Sequence, residues 1–155
     1  MSTEEAHTTQ PPADVLIAVG SNHDAAHTLC AALSLVPALL EDPVCTRVAE
    51  TQAIGIDAPD FHNLLITGKV RCDAPTLTSR LKAIEQACGD TRALRARHLI
   101  RLDLDLLALG DARHHAPDWT RYYIRTLLEE LHTLCADRPQ VGEWLQWTQP
   151  QPPMQ

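Results

Sequence analysis

Arg101-Leu102-Asp103-Leu104-Asp105-Leu106-Leu107-Ala108-Leu109-Gly110 is an apolar run of strand length, interrupted only by two acids and a leading arginine and ended by a glycine. Such a run reads as a central buried strand. Side chains alternate faces along a strand, so Asp103 and Asp105 leave the same side of the sheet. Two carboxylates on an apolar strand repel each other and lose hydration unless a cation or basic groups compensate them. A divalent metal is the simplest compensation. Magnesium takes one or two carboxylates together with phosphate oxygens and water, which makes Asp103 and Asp105 candidate ligands for a metal-nucleotide complex. The alternative is an exposed edge strand whose acids face water.

Working outward, Arg92, Arg95, Arg97 and Arg101 place four of the chain's 13 Lys and Arg residues within ten positions, directly before the acid pair. Upstream of them, Asp73-Ala74-Pro75 opens a helix, with Asp73 as cap and proline in the first turn; Leu77, Leu81, Ile84 and Cys88 form its apolar stripe until Gly89 ends it. Glu85 falls beside that stripe. Phe61–Cys72 reads as a strand on which Phe61, Asn63, Leu65 and Thr67 share one face. Val44–Thr51 is a shorter strand, joined to it by a loop through Gly55 and Pro59. Further back, Asp14–Val19 is a buried strand ended by the turn-forming Gly20-Ser21-Asn22, and Leu29, Leu33, Val36 and Leu40 give a helix over about 24–40 with Asp24 as N-cap. Downstream, a last helix covers about 118–134.

The order is βαββαβ. It predicts an α+β, ferredoxin-like sandwich: a four-stranded antiparallel sheet, both helices on one face, an open face for the site, and a C-terminal helix packed on the edge. Residues 1–13 and 149–155, rich in Pro, Gln and Thr, are expected to be flexible tails around a single domain at 14–148.

With 155 residues and 45% hydrophobic content the chain suits one domain with a real core. A net charge of −7 and a pI near 5.5 argue against nucleic-acid or membrane-surface binding, which calls for a basic face. The five cysteines are widely spaced, without a CxxC pair, and read as reduced residues, most of them core fillers. No apolar run approaches the roughly 18 residues of a membrane span, and the polar start is no signal peptide. A cytoplasmic protein, monomeric or weakly homo-oligomeric, is expected.

Ile17-Ala18-Val19-Gly20-Ser21-Asn22, Asn63, Ile84-Glu85 and Leu102-Asp103-Leu104-Asp105-Leu106 with Gly110, in this order and on these elements, resemble the 6-hydroxymethyl-7,8-dihydropterin pyrophosphokinase family of folate biosynthesis over about residues 14–131. The resemblance implies the ferredoxin-like fold and transfer of pyrophosphate from ATP to the hydroxymethyl group of a dihydropterin, releasing AMP. Asp103 and Asp105 match the family's aspartates that hold two Mg2+ ions against the triphosphate. Asn63 matches the asparagine that hydrogen-bonds the pterin edge, Phe61 its stacking partner, and Thr51 and Ile54 the loop that edges the pocket. Glu85 matches an acid on the nucleotide side. Gly20, Ser21 and Asn22 match the cleft floor.

The departures lie where the family binds phosphate. Of two arginines expected after the second helix, the first position is Asp90 and the second is Arg92, which takes the catalytic role. Where the family has an Arg-Trp-Gly-Pro-Arg type segment, this chain has Ala96-Arg97-His98-Leu99-Ile100. Arg101 comes one residue after the family's last arginine, a slip that changes face on a strand; it then shares the side of Asp103 and Asp105 and can pair with them. Arg95, Arg97 and Arg101 are the candidate substitutes for nucleotide contact. Pro117 fits, but Asp118 stands where a nucleotide-contacting histidine belongs, with His114 and His115 just before it. Tyr123 is the candidate second aromatic of the pterin pocket. Two other readings follow: an enzyme of this fold with a different pterin or nucleotide, or a non-catalytic binding module that has lost the ATP clamp.

Overall fold

Six strands form one antiparallel sheet in this computed structural model, which describes residues 10–53 and 55–149. They are β1 (Ala13–Ser21), β2 (Glu41–Cys45), β3 (Ala49–Thr51), β4 (Phe61–Val70), β5 (Asp103–Leu109) and β6 (Ala112–Arg113). The order across the sheet is β2-β4-β1-β5-β6, with β3 also paired to β4. The sheet is therefore wider than the four strands expected. The expected strand over 44–51 is two strands, because Thr46 breaks the ladder: its backbone N–H donates to Leu65 O at 2.9 Å while its hydroxyl accepts the Leu65 N–H at 3.0 Å. The added strand β6 follows the turn at Gly110 and pairs only with Ala108 and Leu109, leaving the edge of β5 without a strand partner over residues 103–106.

The central strands β1, β4 and β5 are apolar on both sides because both faces of the sheet are covered. On one face α1 (Ala25–Leu35) and α2 (Ala74–Ala87) pack Leu29, Ala32, Leu77 and Leu81 on Val15, Ile17, Leu64, Ile66, Leu104 and Leu106. On the other face α4 (Tyr122–Leu134) and α5 (Pro139–Trp147) pack Ile124, Leu127, Leu131 and Trp144 on Leu16, Leu65 and Leu107. The C-terminal helix is thus two helices that lie on the face expected to be open. Trp144 and Trp119 are fully buried there. Each indole N–H finds a carbonyl, Trp144 that of Gly110 at 3.0 Å and Trp119 that of His114 at 2.9 Å. Truncating either to alanine costs about 3–5 kcal/mol.

The helix starts show where local rules hold. Asp73 caps α2 as expected, its carboxylate accepting the Thr76 N–H at 2.9 Å, and Gly89 terminates it at φ 90°, a conformation that side chains resist. At α1 the rule fails: Asp24 adopts φ 51° and its side chain makes no capping bond. The helix also stops at Leu35, before Pro37, so the expected stripe shifts; Thr28, Leu29, Ala32 and Val36 are buried and Leu33 is exposed. Ala13, placed in the first tail, is already part of β1 opposite Val70. Gln10, also placed in that tail, accepts from Arg71 Nη1 at 3.2 Å, while 1–9 and 150–155 lie outside the described residues. Among the described residues no helix is long and apolar enough to cross a membrane.

Candidate active site

Sheet register fixes the centre of the site. Gly20 on β1 lies between Asn63 on β4 and Asp103 on β5, and Asp105 stands opposite Ala18 one step along. By alternation Asn63 shares the side of Leu65, and Asp103 and Asp105 share the side of Leu107, so all three polar side chains leave the sheet on the α4–α5 face. The position between them is close to the amide: a Cβ on Gly20 would stand 3.2 Å from Asn63 Oδ1, which would have to shift by a few tenths of an ångström. Asn63 is buried, and its Nδ2 donates to Thr51 Oγ1 at 2.8 Å. Phe61, opposite Thr51 in the β3–β4 ladder, shares the Asn63 face. Tyr123 is half-buried against the same apolar cluster, and burial pushes its phenol pKa up. Thr51, Phe61, Asn63 and Tyr123 thus sit on one side of the sheet with the aspartates; Ile54 lies outside the described residues.

The open edge of β5 forms one wall of a cleft of about 390 Å³, lined on the α2 side by Lys82, Glu85 and Gln86, and on the loop side by Asp90, Arg92 and Arg95. Glu85 is buried, and its Oε2 accepts the Leu104 N–H at 2.7 Å. It fills in for the strand partner that β5 lacks there, and so holds Leu104 between the two aspartates. Its pKa is raised, mainly by burial. Asp105 is pushed up to about 7, by burial first and by the neighbouring Asp103 charge next. That is the carboxylate pair anticipated from sequence, with Arg95 as a counter-charge on Asp103 alone. Among the described residues no group of three or more His, Cys, Asp or Glu side chains forms a metal cage. Two adjacent carboxylates with an open approach fit magnesium, which completes its octahedron with water and phosphate oxygens.

The arginine-rich segment is not the plain loop expected. Thr91 caps a short helix, α3 (Arg92–Ala96), its hydroxyl accepting the Leu94 N–H at 3.2 Å. Arg95 is tied on three sides: Nε donates to Asp90 at 2.7 Å, and Nη2 donates to Leu102 O at 3.1 Å and reaches Asp103 at 3.4 Å. Arg92 is exposed and lines the cleft. Arg97 is exposed at the end of α3 and does not line it. Arg101 is turned away: β5 begins only at Asp103, and the Arg101 guanidinium lies against Gly89 and 3.7 Å from Asp24. The expected pairing of Arg101 with Asp103 or Asp105 therefore gives way to one with Asp24. Asn22, expected on the cleft floor, is a clip: its Nδ2 donates to His98 O at 3.0 Å, and its Oδ1 accepts the Ile100 N–H at 2.6 Å.

Of the two histidines, His115 reaches Asp105 at 3.9 Å, held in a left-handed conformation at φ 53°. His114 instead lines a separate groove with Ala74, Pro75, Thr78, Ser79 and Lys82. Asp118, in the histidine position, pairs with Arg121 at 3.3 Å. Sequence reasoning passed over Lys82, which borders both the groove and the cleft; its position one helical turn before Glu85 was the available signal. A family model described as 7,8-dihydro-6-hydroxymethylpterin-pyrophosphokinase matches residues 16–141. No curated protein matches the chain.

Proposed function

The chain belongs to the 7,8-dihydro-6-hydroxymethylpterin-pyrophosphokinase family, and from that premise we propose that it moves the β,γ-pyrophosphate of ATP onto the hydroxymethyl group of a dihydropterin. In this reaction the hydroxymethyl oxygen attacks the β-phosphorus and AMP leaves. The observation that carries the reading is the row Asn63, Gly20, Asp103, with Asp105 beside it on the same face. A group that recognises a heterocycle edge and a carboxylate pair suited to magnesium then stand on neighbouring strands. An amide offers both donor and acceptor, as a pterin edge requires.

In this reading Asn63, oriented by Thr51, holds the pterin, with Phe61 and Tyr123 as its aromatic neighbours and Ile54 in the bordering loop. Asp103 and Asp105 would hold two Mg2+ ions, and the chemistry these would supply is neutralisation of charge around the transferred phosphoryl. Glu85 keeps the two aspartates in register through the Leu104 amide. Arg92, free in the cleft, meets the phosphates. Arg95, bound to Asp90 and Asp103, serves first as internal counter-charge for Asp103. Arg97 and Arg101 reach the nucleotide only if their segment moves. The test is product analysis with magnesium, ATP and 6-hydroxymethyl-7,8-dihydropterin. AMP together with pterin diphosphate, formed only when pterin is present, is the expected result. Pterin binding without AMP would overturn the reaction and leave a binding module, a reading that the tethered Arg95 favours.

A further inference from the structure

The cleft presents three cationic side chains, Lys82, Arg92 and Arg95. Arg95 is already committed to Asp90, the Leu102 carbonyl and Asp103. Neither Lys82 nor Arg92 has an ion pair among the described residues, and both are exposed. Lys82 sits on α2 where the cleft meets the groove of Thr78, Ser79 and His114, and among the described residues no other lines both. A ligand extending from the aspartates into that groove must pass it.

Charge gives the second argument. ATP with two divalent cations is neutral, so the balance of the assembled site rests on the cleft's own groups, the acids Glu85, Asp90, Asp103 and Asp105 against the cations Lys82, Arg92 and Arg95. With Arg95 held by Asp90 and Asp103, Lys82 and Arg92 are the two cations of the cleft left to meet a polyphosphate. With Arg95 spent on Asp90, the post-helix segment supplies the cleft only Arg92 freely, and the second free cation stands on α2. We propose that Lys82 is a nucleotide-binding residue that contacts the polyphosphate from α2 and replaces the cation displaced by Asp90. A lysine suits the place: a compact charge on a long flexible stem, able to follow a phosphate from an exposed helix position.

The inference rests on the nucleotide half of the reading above, and its test separates the two. The Mg2+ complex of α,β-methylene-ATP, which cannot transfer pyrophosphate, is titrated calorimetrically into the wild type, Lys82→Met and Lys82→Arg, with AMP titrated as a control. Lys82→Met is expected to weaken the analogue about tenfold or more, the loss of one charge-assisted contact, and to leave AMP affinity unchanged. Lys82→Arg should retain most of the affinity. Equal analogue binding by wild type and Lys82→Met, or an equal loss for AMP, overturns the assignment while leaving the reaction standing. A selective loss in a protein that forms no pterin diphosphate upholds Lys82 and overturns the reaction. Wild-type protein that binds no analogue overturns both. Lys82 is exposed and makes no packing contact in the core clusters, so thermal melting of the variants should match the wild type.

Discussion

The two sides of the cleft are built by different means. On the sheet side, Asn63, Gly20, Asp103 and Asp105 are held by continuous ladders between β4, β1 and β5, and their mutual positions follow from register. On the loop side, residues 90–101 are held by single side chains: Thr91 at the start of α3, Asp90 on Arg95, and Asn22 on the far end. A ladder resists the loss of any one member, whereas a clipped loop depends on each clip. In the proposed reaction, the chemistry that needs fixed distances falls on the ladders, and phosphate contact on the part held by single side chains. This is also where the chain departs from its family's pattern.

The contrast can be broken from either side. The largest effect is expected for Asp103→Ala: turnover falls about a thousandfold, the several kcal/mol that metal ions contribute to phosphoryl transfer, with the fold kept. Calorimetry should show Mg2+-nucleotide binding lost, and unchanged affinity would remove the metal role from the sheet side. Next comes Arg92→Ala, expected to lower turnover about a hundredfold while pterin affinity stays the same. An unaltered rate would transfer the phosphate role to the remaining cations. Asn63→Ala should weaken the pterin about tenfold and leave nucleotide affinity alone; a drop in both would mean that the two sides are coupled. The smallest effect sharpens the comparison. Asn22→Ala removes the two side-chain bonds of the clip and should lower stability by about 1–3 kcal/mol in denaturant unfolding. It should also raise the KM for ATP without moving that for pterin, since only the loop is released.

Alternation and helical periodicity made the sheet side legible. Asp103, Asp105 and Asn63 could be placed on one face from sequence because a strand's period is a local property. The capped start of α2 was readable for the same reason. What escaped depends on partners far along the chain. The break at Thr46 requires Leu65, the closure of the second face requires Trp144 to reach Gly110, and the diversion of Arg101 requires Asp24. Glu85 could be singled out by resemblance, but its bond to Leu104 follows only from the open edge left by the short β6. Arg95 was expected to be free for phosphate. Its capture by Asp90 is a competition between two ligands that no periodicity records.

The burial of Trp119 and Trp144 beneath α4 and α5 has an optical consequence. The chain has three tryptophans, and all belong to that layer, with Trp147 edge-on to Trp119 at 5.2 Å. Excitation at the red edge of the protein's absorption therefore reads the α4–α5 side and is silent about α1 and α2. The Trp119 indole also holds the His114 carbonyl, next to the His115 that reaches Asp105 at 3.9 Å, which links its surroundings to the aspartates. A shift of the tryptophan emission on adding Mg2+ and nucleotide would report occupancy of the cleft in the native chain, without any label.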